Sequence, residues 1–528
     1  MKRALLLTSL LCFAPLAGAQ TYDQYNQDIA VQQLGEARSY DAGVPGLDTG
    51  FGPALWTATS GDVAKSLIAA APVTSKSSVT TDMVARVLLT GGTPPNGASE
   101  DRAYMAARLG ALVKLGRADE VDQILGRQPQ QAGSAQGQQV AADKALAGGD
   151  VPAACTIADS IAEARSEPYW AKLRAFCHVT RKEVPAAELT VDLLRRSGHE
   201  DPEFYAAFDV ISGFKNATFP QGSQDPLIGA MGEMAGIGRI QKGDAADQAL
   251  ATLIQDAADL RTEELGKRLS VLTVTQTGND DIAGGFFDFE EAINNDTPQS
   301  WGQLYGVVTT GTDAQVNARA AGELLRRADA NGVLSPFARL LKEPLRAIPA
   351  YLRGQGHVPT YAKLAVMDAD LGALRGLYDG LDADDPMRVR LALASDALGN
   401  GFMLGQLGDD MTSRLSGQGR TKTRALRDAF LAAGLGARLS DEALIVLDDY
   451  TGVLPGRAAR PGALLALNDA AARGAQAETA LRAAVIIGQG GPSSLRADSL
   501  AAVLSALQSA NLQTFAGRLA AEDFLDGQ

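Results

Sequence analysis

Val151-Pro152-Ala153-Ala154 decides the fold, because it recurs further along the chain as Val184-Pro185-Ala186-Ala187. In both copies an apolar segment ends, a short turn follows, and a proline stands at the start of the next segment. Proline suits the first turn of a helix, where the N–H that it lacks would have no partner. A period of about 33 residues with two helices per unit is typical of helical-repeat solenoids.

Weaker copies of the same turn-and-helix pattern lie at residues 116–121, 243–250 and 368–374. The first keeps the offset that separates Val151 from Val184, and the others do not. The alternative is that two helix starts coincide in a chain rich in alanine. Aromatic residues make up only 5% of the chain, which favours close packing of small helical side chains over a β-sheet. We therefore predict an all-α fold of helical-hairpin repeats that forms an α-solenoid.

With these features the chain resembles the tetratricopeptide-like and Sel1-like helical-repeat proteins. The resemblance covers about residues 100–260, and the strict tetratricopeptide pattern of Trp, Gly and Tyr is not met. The chain also resembles secreted, alanine-rich alphaproteobacterial proteins of unknown function. The resemblance implies stacked helical pairs with a concave surface suited to proteins or peptides.

The segment 1–19 has the order of a secretory signal peptide. Met1-Lys2-Arg3 is positive, an apolar run follows, and Ala17-Gly18-Ala19 offers a small-x-small cleavage site. Cys12 raises the alternative of lipid attachment, but leucines rather than small residues precede it. We predict cleavage near Ala19 and a periplasmic location.

Breaks in the helical pattern divide the remaining chain. We predict a flexible N-terminal arm over 20–55 and a helical-repeat lobe over 56–278. An irregular connection at 279–301 and a second helical lobe over 302–528 complete the chain. Its polar last helix would cap the array.

The charge balance bears on partners. The formal net charge is −14, which disfavours nucleic acid and anionic lipid as partners. We find no later apolar run of the roughly 18 residues that a transmembrane helix needs. The expected partner is therefore a protein or peptide of the cell envelope, whose identity the sequence does not give.

Two cysteines remain after cleavage, Cys155 and Cys177. Each lies in a predicted helix at a similar distance from the turn at 166–168, so the two should face each other in an antiparallel hairpin. An oxidising compartment then favours a disulfide, and two buried thiols are the alternative.

Metal sites have weaker support. Zinc could be bound by Cys155, Cys177, His178 and His199, but their spacing fits no compact ligand pattern. A calcium loop could begin at Asn279, with Asp281, Gly284 and Glu290 at positions three, six and twelve. Positions one and five do not fit, and an acidic loop is the preferred interpretation. The cluster at 382–386 is interpreted as a solvated turn.

No motif for nucleophilic, phosphate-binding or zinc-hydrolase chemistry is found in the sequence. We therefore predict no catalytic residues, no cofactor and no metal. The predicted function is a periplasmic non-catalytic scaffold that mediates protein–protein interaction. The alternatives are a cell-wall-associated enzyme or a regulator of a peptidoglycan enzyme. The absence of a Glu-Ser pair argues against a lytic transglycosylase.

Overall fold

The computed structural model describes most of the chain after residue 40. The described residues are 41–99, 101–128, 132–162, 164–214, 217–220, 223, 225–235, 250, 253–254, 257, 262–274, 288–354, 356–399, 414–450 and 452–526. They form 25 α-helices and no β-strand, as the predicted all-α class requires. The predicted signal peptide at 1–19 lies outside this part.

Ten described helices lie in the first half of the chain. They are α1 (Gly61–Ala70), α2 (Ser78–Leu89), α3 (Arg102–Lys114), α4 (Ala118–Arg127), α5 (Ala135–Ala147), α6 (Val151–Ser160), α7 (Pro168–Thr180), α8 (Val184–Arg196), α9 (Pro202–Ile211) and α10 (Pro226–Met234).

Fifteen described helices follow. They are α11 (Thr262–Val274), α12 (Phe289–Asn294), α13 (Pro298–Thr310), α14 (Ala314–Ala330), α15 (Leu334–Leu340), α16 (Lys342–Ala347), α17 (Val358–Asp368), α18 (Leu371–Asp379), α19 (Pro386–Ala397), α20 (Gly419–Gly434), α21 (Asp441–Asp448), α22 (Pro461–Ala472), α23 (Gln476–Ile487), α24 (Ala497–Ser509) and α25 (Gln513–Asp526).

Helices α3 to α8 form three consecutive hairpins. The first helices of the hairpins begin at Arg102, Ala135 and Pro168, and the second helices at Ala118, Val151 and Val184. Both series therefore advance by the same step, which is the offset of the sequence motif. Within the second helices the equivalent positions Val121, Ala154 and Ala187 are all fully buried.

The turns inside these hairpins also match. Gly116, Gly149 and Lys182 occupy equivalent positions and have φ angles of 68°, 75° and 64°. Glycine adopts this left-handed conformation freely, whereas a side chain such as that of Lys182 makes it unfavourable. The shared backbone conformation explains how the chain reverses through a short turn before each second helix.

The two ends of the described chain pack together. The Ala477 N–H donates to the Leu55 carbonyl at 2.9 Å, and the Lys76 N–H donates to the Gln489 carbonyl at 2.8 Å. Helix α2 packs on α3, α23 and α25, so early and late segments of the chain are in direct contact. The core around these helices includes Leu88 from one end and Leu507 from the other.

The predicted division into lobes at 56–278 and 302–528 stays a prediction. The start of the first predicted lobe and the end of the second nevertheless share the core just described. Further clusters of buried side chains lie within 142–231 and within 253–361. Of the predicted connection at 279–301, residues 279–287 lie outside the described part.

The described part of the predicted flexible arm begins at Asp41 and packs closely on the helices. Asp41 and Gly92 exchange two backbone hydrogen bonds of 2.8 and 3.0 Å. The buried Arg108 donates to the Ala42 carbonyl at 2.9 Å and to the Leu88 carbonyl at 2.7 Å. One guanidinium therefore anchors this segment and satisfies a carbonyl at the end of α2.

The sequence analysis predicts that the last helix is a polar cap. The last described helix, α25, is instead buried. Every residue from Phe515 to Leu525 is buried, because α25 packs on α2, α17, α19 and α24. Gly517 permits one of these contacts, since a Cβ there would lie 2.1 Å from the Ala397 carbonyl oxygen. Arg518, Glu522 and Asp523, which make α25 look polar in sequence, are buried and have polar partners.

Candidate functional site

The predicted cysteine pair lies in the second and third hairpins. Cys155 on α6 and Cys177 on α7 are both buried, and their sulfur atoms lie at disulfide-bonding distance, with the Cα atoms 5.7 Å apart. The two helices are neighbours in space, as the matched heights in the sequence predict. The pair joins two consecutive hairpins rather than the two helices of one hairpin.

The four residues considered for zinc do not form a common group of ligands. The His178 Nδ1 lies 2.7 Å from a Glu183 carboxylate oxygen, while Cys177 faces Cys155. No group of three or more potential metal ligands occurs among the described residues. The zinc alternative therefore has no support from the geometry.

Most of the considered calcium loop, including Asn279, Asp281 and Gly284, lies outside the described residues. Its last position, Glu290, forms an ion pair with Arg319 at 2.9 Å. In the other acidic cluster the Asp385 carboxylate accepts a hydrogen bond of 2.8 Å from the Met387 N–H at the start of α19. That contact is the helix-capping role expected of such a turn.

Buried charges on α25 form a polar cluster that the sequence analysis did not predict. Arg518 donates to Asp82 of α2 at 2.8 Å, to the Val366 carbonyl at 3.1 Å, and to the Met367 carbonyl. On the same helix, Asp523 accepts two hydrogen bonds from Arg427, of 2.7 and 2.8 Å. We call α25 with these two arginine contacts the closing helix.

Glu522 is the second link between the closing helix and α2. Its carboxylate accepts hydrogen bonds from the Ser78 N–H at 3.0 Å, from the Ser78 hydroxyl at 3.2 Å, and from the Ser77 hydroxyl. Burial raises the pKa of Glu522 to about 7; Asp526 also raises it, and Lys363 and the serines act in the opposite direction.

Lys363 completes the charged surroundings of Glu522. It forms ion pairs with Asp526 at 2.7 Å and with Asp329 at 2.8 Å. Burial lowers the pKa of Lys363, but these two carboxylates outweigh burial and the net shift is upward. Asp329 lies near the end of α14, so this ion pair connects the cluster to α14.

A cleft with several charged side chains in its walls opens beside this cluster, where three turns of the chain meet. The turns are the segment before α2, the α3–α4 turn and the α14–α15 turn. The charged side chains that line the cleft are Lys76, Asp82, Lys114, Arg117, Asp329 and Arg339. We call it the three-turn cleft.

Among the cations that line the three-turn cleft, Arg339 is the one whose pKa burial shifts clearly. Burial, together with the nearby Arg117, lowers the pKa of Arg339 to about 10, although Glu120 and Asp82 oppose this shift. Its guanidinium donates to the Ser335 hydroxyl at 3.1 Å. A single neutral acceptor leaves most of its five N–H groups available to other oxygen atoms.

An exposed apolar pair lies on α8 in the third hairpin. The side chains of Leu189 and Leu193 are 61% and 59% exposed, and they stand one helical turn apart. The opposite stripe of the helix, including Val191 and Leu194, is buried against α7. Helix α8 therefore presents a second apolar face to solvent.

Comparisons with known proteins identify no relative. No family model, curated protein or solved structure matches the chain. Within the described ranges, none of the helices combines the length and apolar character needed to cross a bilayer.

The cysteine pair gives the first test. Replacing Cys155 and Cys177 by alanine should lower the free energy of unfolding by ~3 kcal/mol, because a cross-link closing a loop of this size restricts the unfolded chain by about that amount. Urea unfolding of the oxidised, reduced and variant proteins measures the difference. Two thiols that alkylate freely in protein isolated from its native compartment without reductant would contradict the disulfide.

Glu522 gives the second test. Its pKa is raised in the folded protein, so the folded state keeps a proton that the unfolded state releases between about pH 4.5 and 7. Stability should therefore fall as pH rises through this window, by at most ~1.4 kcal/mol per pH unit for one group. Glu522→Gln should reduce the fall in Tm between pH 5 and pH 8.

The exposed variant Glu343→Gln is the matched control for this test and should keep the wild-type pH dependence. Asp143, whose pKa is also raised to about 7 by burial, should account for part of the fall that remains in Glu522→Gln. A Glu522→Gln protein with the wild-type slope would show that Glu522 is not protonated in the folded state.

Proposed function

We propose that this protein is a periplasmic, non-catalytic helical-repeat scaffold that binds another protein of the cell envelope. The export signal at residues 1–19 and the acidic composition support the location and the kind of partner. The non-catalytic part rests on the sequence, in which no catalytic motif was found. The three hairpins of α3 to α8 support a solenoid-like array over this part of the chain.

The observation that carries the proposal is the exposed leucine pair on α8. Leu189 and Leu193 are flanked by the exposed charged residues Glu188, Asp192 and Arg196. An apolar centre with a charged rim is the arrangement found in protein interfaces. Two large apolar side chains one turn apart provide the spacing with which helical segments bind each other.

We propose an amphipathic helical segment of the partner as the occupant of this surface. Its apolar side chains would cover the two leucines, and its basic residues would face the acidic scaffold. The negative charge of the scaffold should raise the association rate with such a partner, and this rate should fall with added salt. The cysteine pair, which joins the second hairpin to the third, would hold the repeats around α8 in a fixed relation.

The test compares three tagged proteins in pulldowns from native envelope extract. They are the wild type, the double variant Leu189→Glu/Leu193→Glu, and the control Leu444→Glu/Ile445→Glu. The control replaces two apolar side chains that are 50% and 60% exposed on α21, and it adds the same charge. Quantitative mass spectrometry of the bound fraction provides the measurement.

We expect the α8 variant to recover at least ~90% less of one specific envelope protein that the wild type and the control retain. A tenfold weaker binding of this kind corresponds to a loss of ~1.4 kcal/mol in binding free energy. A partner that synthesises or hydrolyses the cell wall would make the scaffold a regulator of a peptidoglycan enzyme. Equal recovery of every bound protein by all three baits would refute this surface as the binding site.

A further inference from the structure

The three-turn cleft contains a partly buried arginine without an acidic partner of its own. Within the described residues, Arg339 forms no ion pair, and its guanidinium donates to the neutral Ser335 hydroxyl. The two acidic groups that act on Arg339 already have partners: Glu120 pairs with Arg117 at 2.9 Å, and Asp82 pairs with Arg518 at 2.8 Å. A desolvated cation without compensation is costly, which points to a ligand that completes the site.

The remaining unpaired charges of the cleft have the same sign. Lys76 and Lys114 line it and are exposed, and neither has an ion-pair partner among the described residues. Asp329, which also lines the cleft, is paired with Lys363 at 2.8 Å. The cleft is therefore locally cationic in a protein whose net charge is −14. Cationic walls in a recess concentrate anions from solution.

We propose that the three-turn cleft binds a small oxyanion, namely the phosphate or carboxylate group of a soluble ligand, with Arg339 as its main contact. The planar guanidinium offers paired N–H groups that match two oxygen atoms of such a group. Lys114 and Lys76 would add charge from the open side of the cleft. Serine hydroxyls of the neighbouring turns, including that of Ser335, can donate further hydrogen bonds.

The cleft is formed by residues other than those of α8, so the anion site is independent of the proposed scaffold function. Binding of a ligand in this cleft would also affect how the helices are held together. The cleft lies between α2 and the α14–α15 turn, beside Asp82, the residue that Arg518 of the closing helix contacts. A bound anion would therefore add a link between helices from distant parts of the chain.

Isothermal titration calorimetry of the mature chain with inorganic phosphate, and separately with succinate, tests the proposal. The titrations are made at pH 7.5 and constant ionic strength, with chloride as the reference anion. The variants are Arg339→Gln, Lys114→Gln and the control Arg346→Gln. The control removes one positive charge from an exposed arginine on the nearby helix α16.

We expect saturable binding of one anion per chain, weakened about tenfold or more by Arg339→Gln and roughly threefold by Lys114→Gln. The control should bind as the wild type does. Lys114 is exposed, so its variant tests the cleft even if Arg339→Gln unfolds the protein. Binding of phosphate alone would identify a phosphorylated ligand, and binding of succinate alone a carboxylate ligand. The proposal fails if neither binds more than chloride does, or if both cleft variants bind like the wild type.

Discussion

The Arg518 guanidinium joins three parts of the chain that are far apart in sequence. It pairs with Asp82 near the start of the described chain and with the carbonyls of Val366 and Met367 in the middle, while its own helix is the last one described. A buried guanidinium requires oxygen partners, since an unpaired charge in the interior is very unfavourable. The positions of α2 and α17 are therefore tied to that of the closing helix.

The other charges of the closing helix extend the same constraint. Asp523 accepts two hydrogen bonds from Arg427, which lies on α20, and Glu522 accepts hydrogen bonds from the residues that begin α2. Apolar packing alone would favour burial without fixing which helices meet. Buried charges restrict which helices can meet, because each must find an oppositely charged or hydrogen-bonding partner. We infer that this is why an alanine-rich chain closes in one arrangement.

The sequence predicts well what depends on nearby residues. The regular spacing of the motif and the prolines near the starts of α6 and α8 reflect local backbone preferences, and the hairpins follow them closely. The approach of Cys155 and Cys177 follows from one short connection between two helices. These features depend on nearby residues alone, so the recurring motif predicts the hairpins and the distances to the turn at 166–168 predict the cysteine contact.

The closing helix and the three-turn cleft were missed because both depend on residues hundreds of positions apart. The sequence does contain one signal: Arg518, Glu522 and Asp523 interrupt a segment whose other residues are mostly apolar. Charges within such an apolar segment indicate internal partners, but they do not say which parts of the chain supply them. The cleft offered even less, since Arg339 follows an ordinary helical pattern and its surroundings come from two other turns.

Hydrogen exchange of an Arg518→Met variant tests most directly whether this guanidinium ties the distant segments together. Under native conditions we expect faster exchange in α2 and α17 together with the closing helix, because all three lose the shared guanidinium. Helices α7 and α8 serve as the internal reference and should keep their wild-type protection. Faster exchange confined to 513–526, or equal acceleration in α7 and α8, would contradict that role of Arg518.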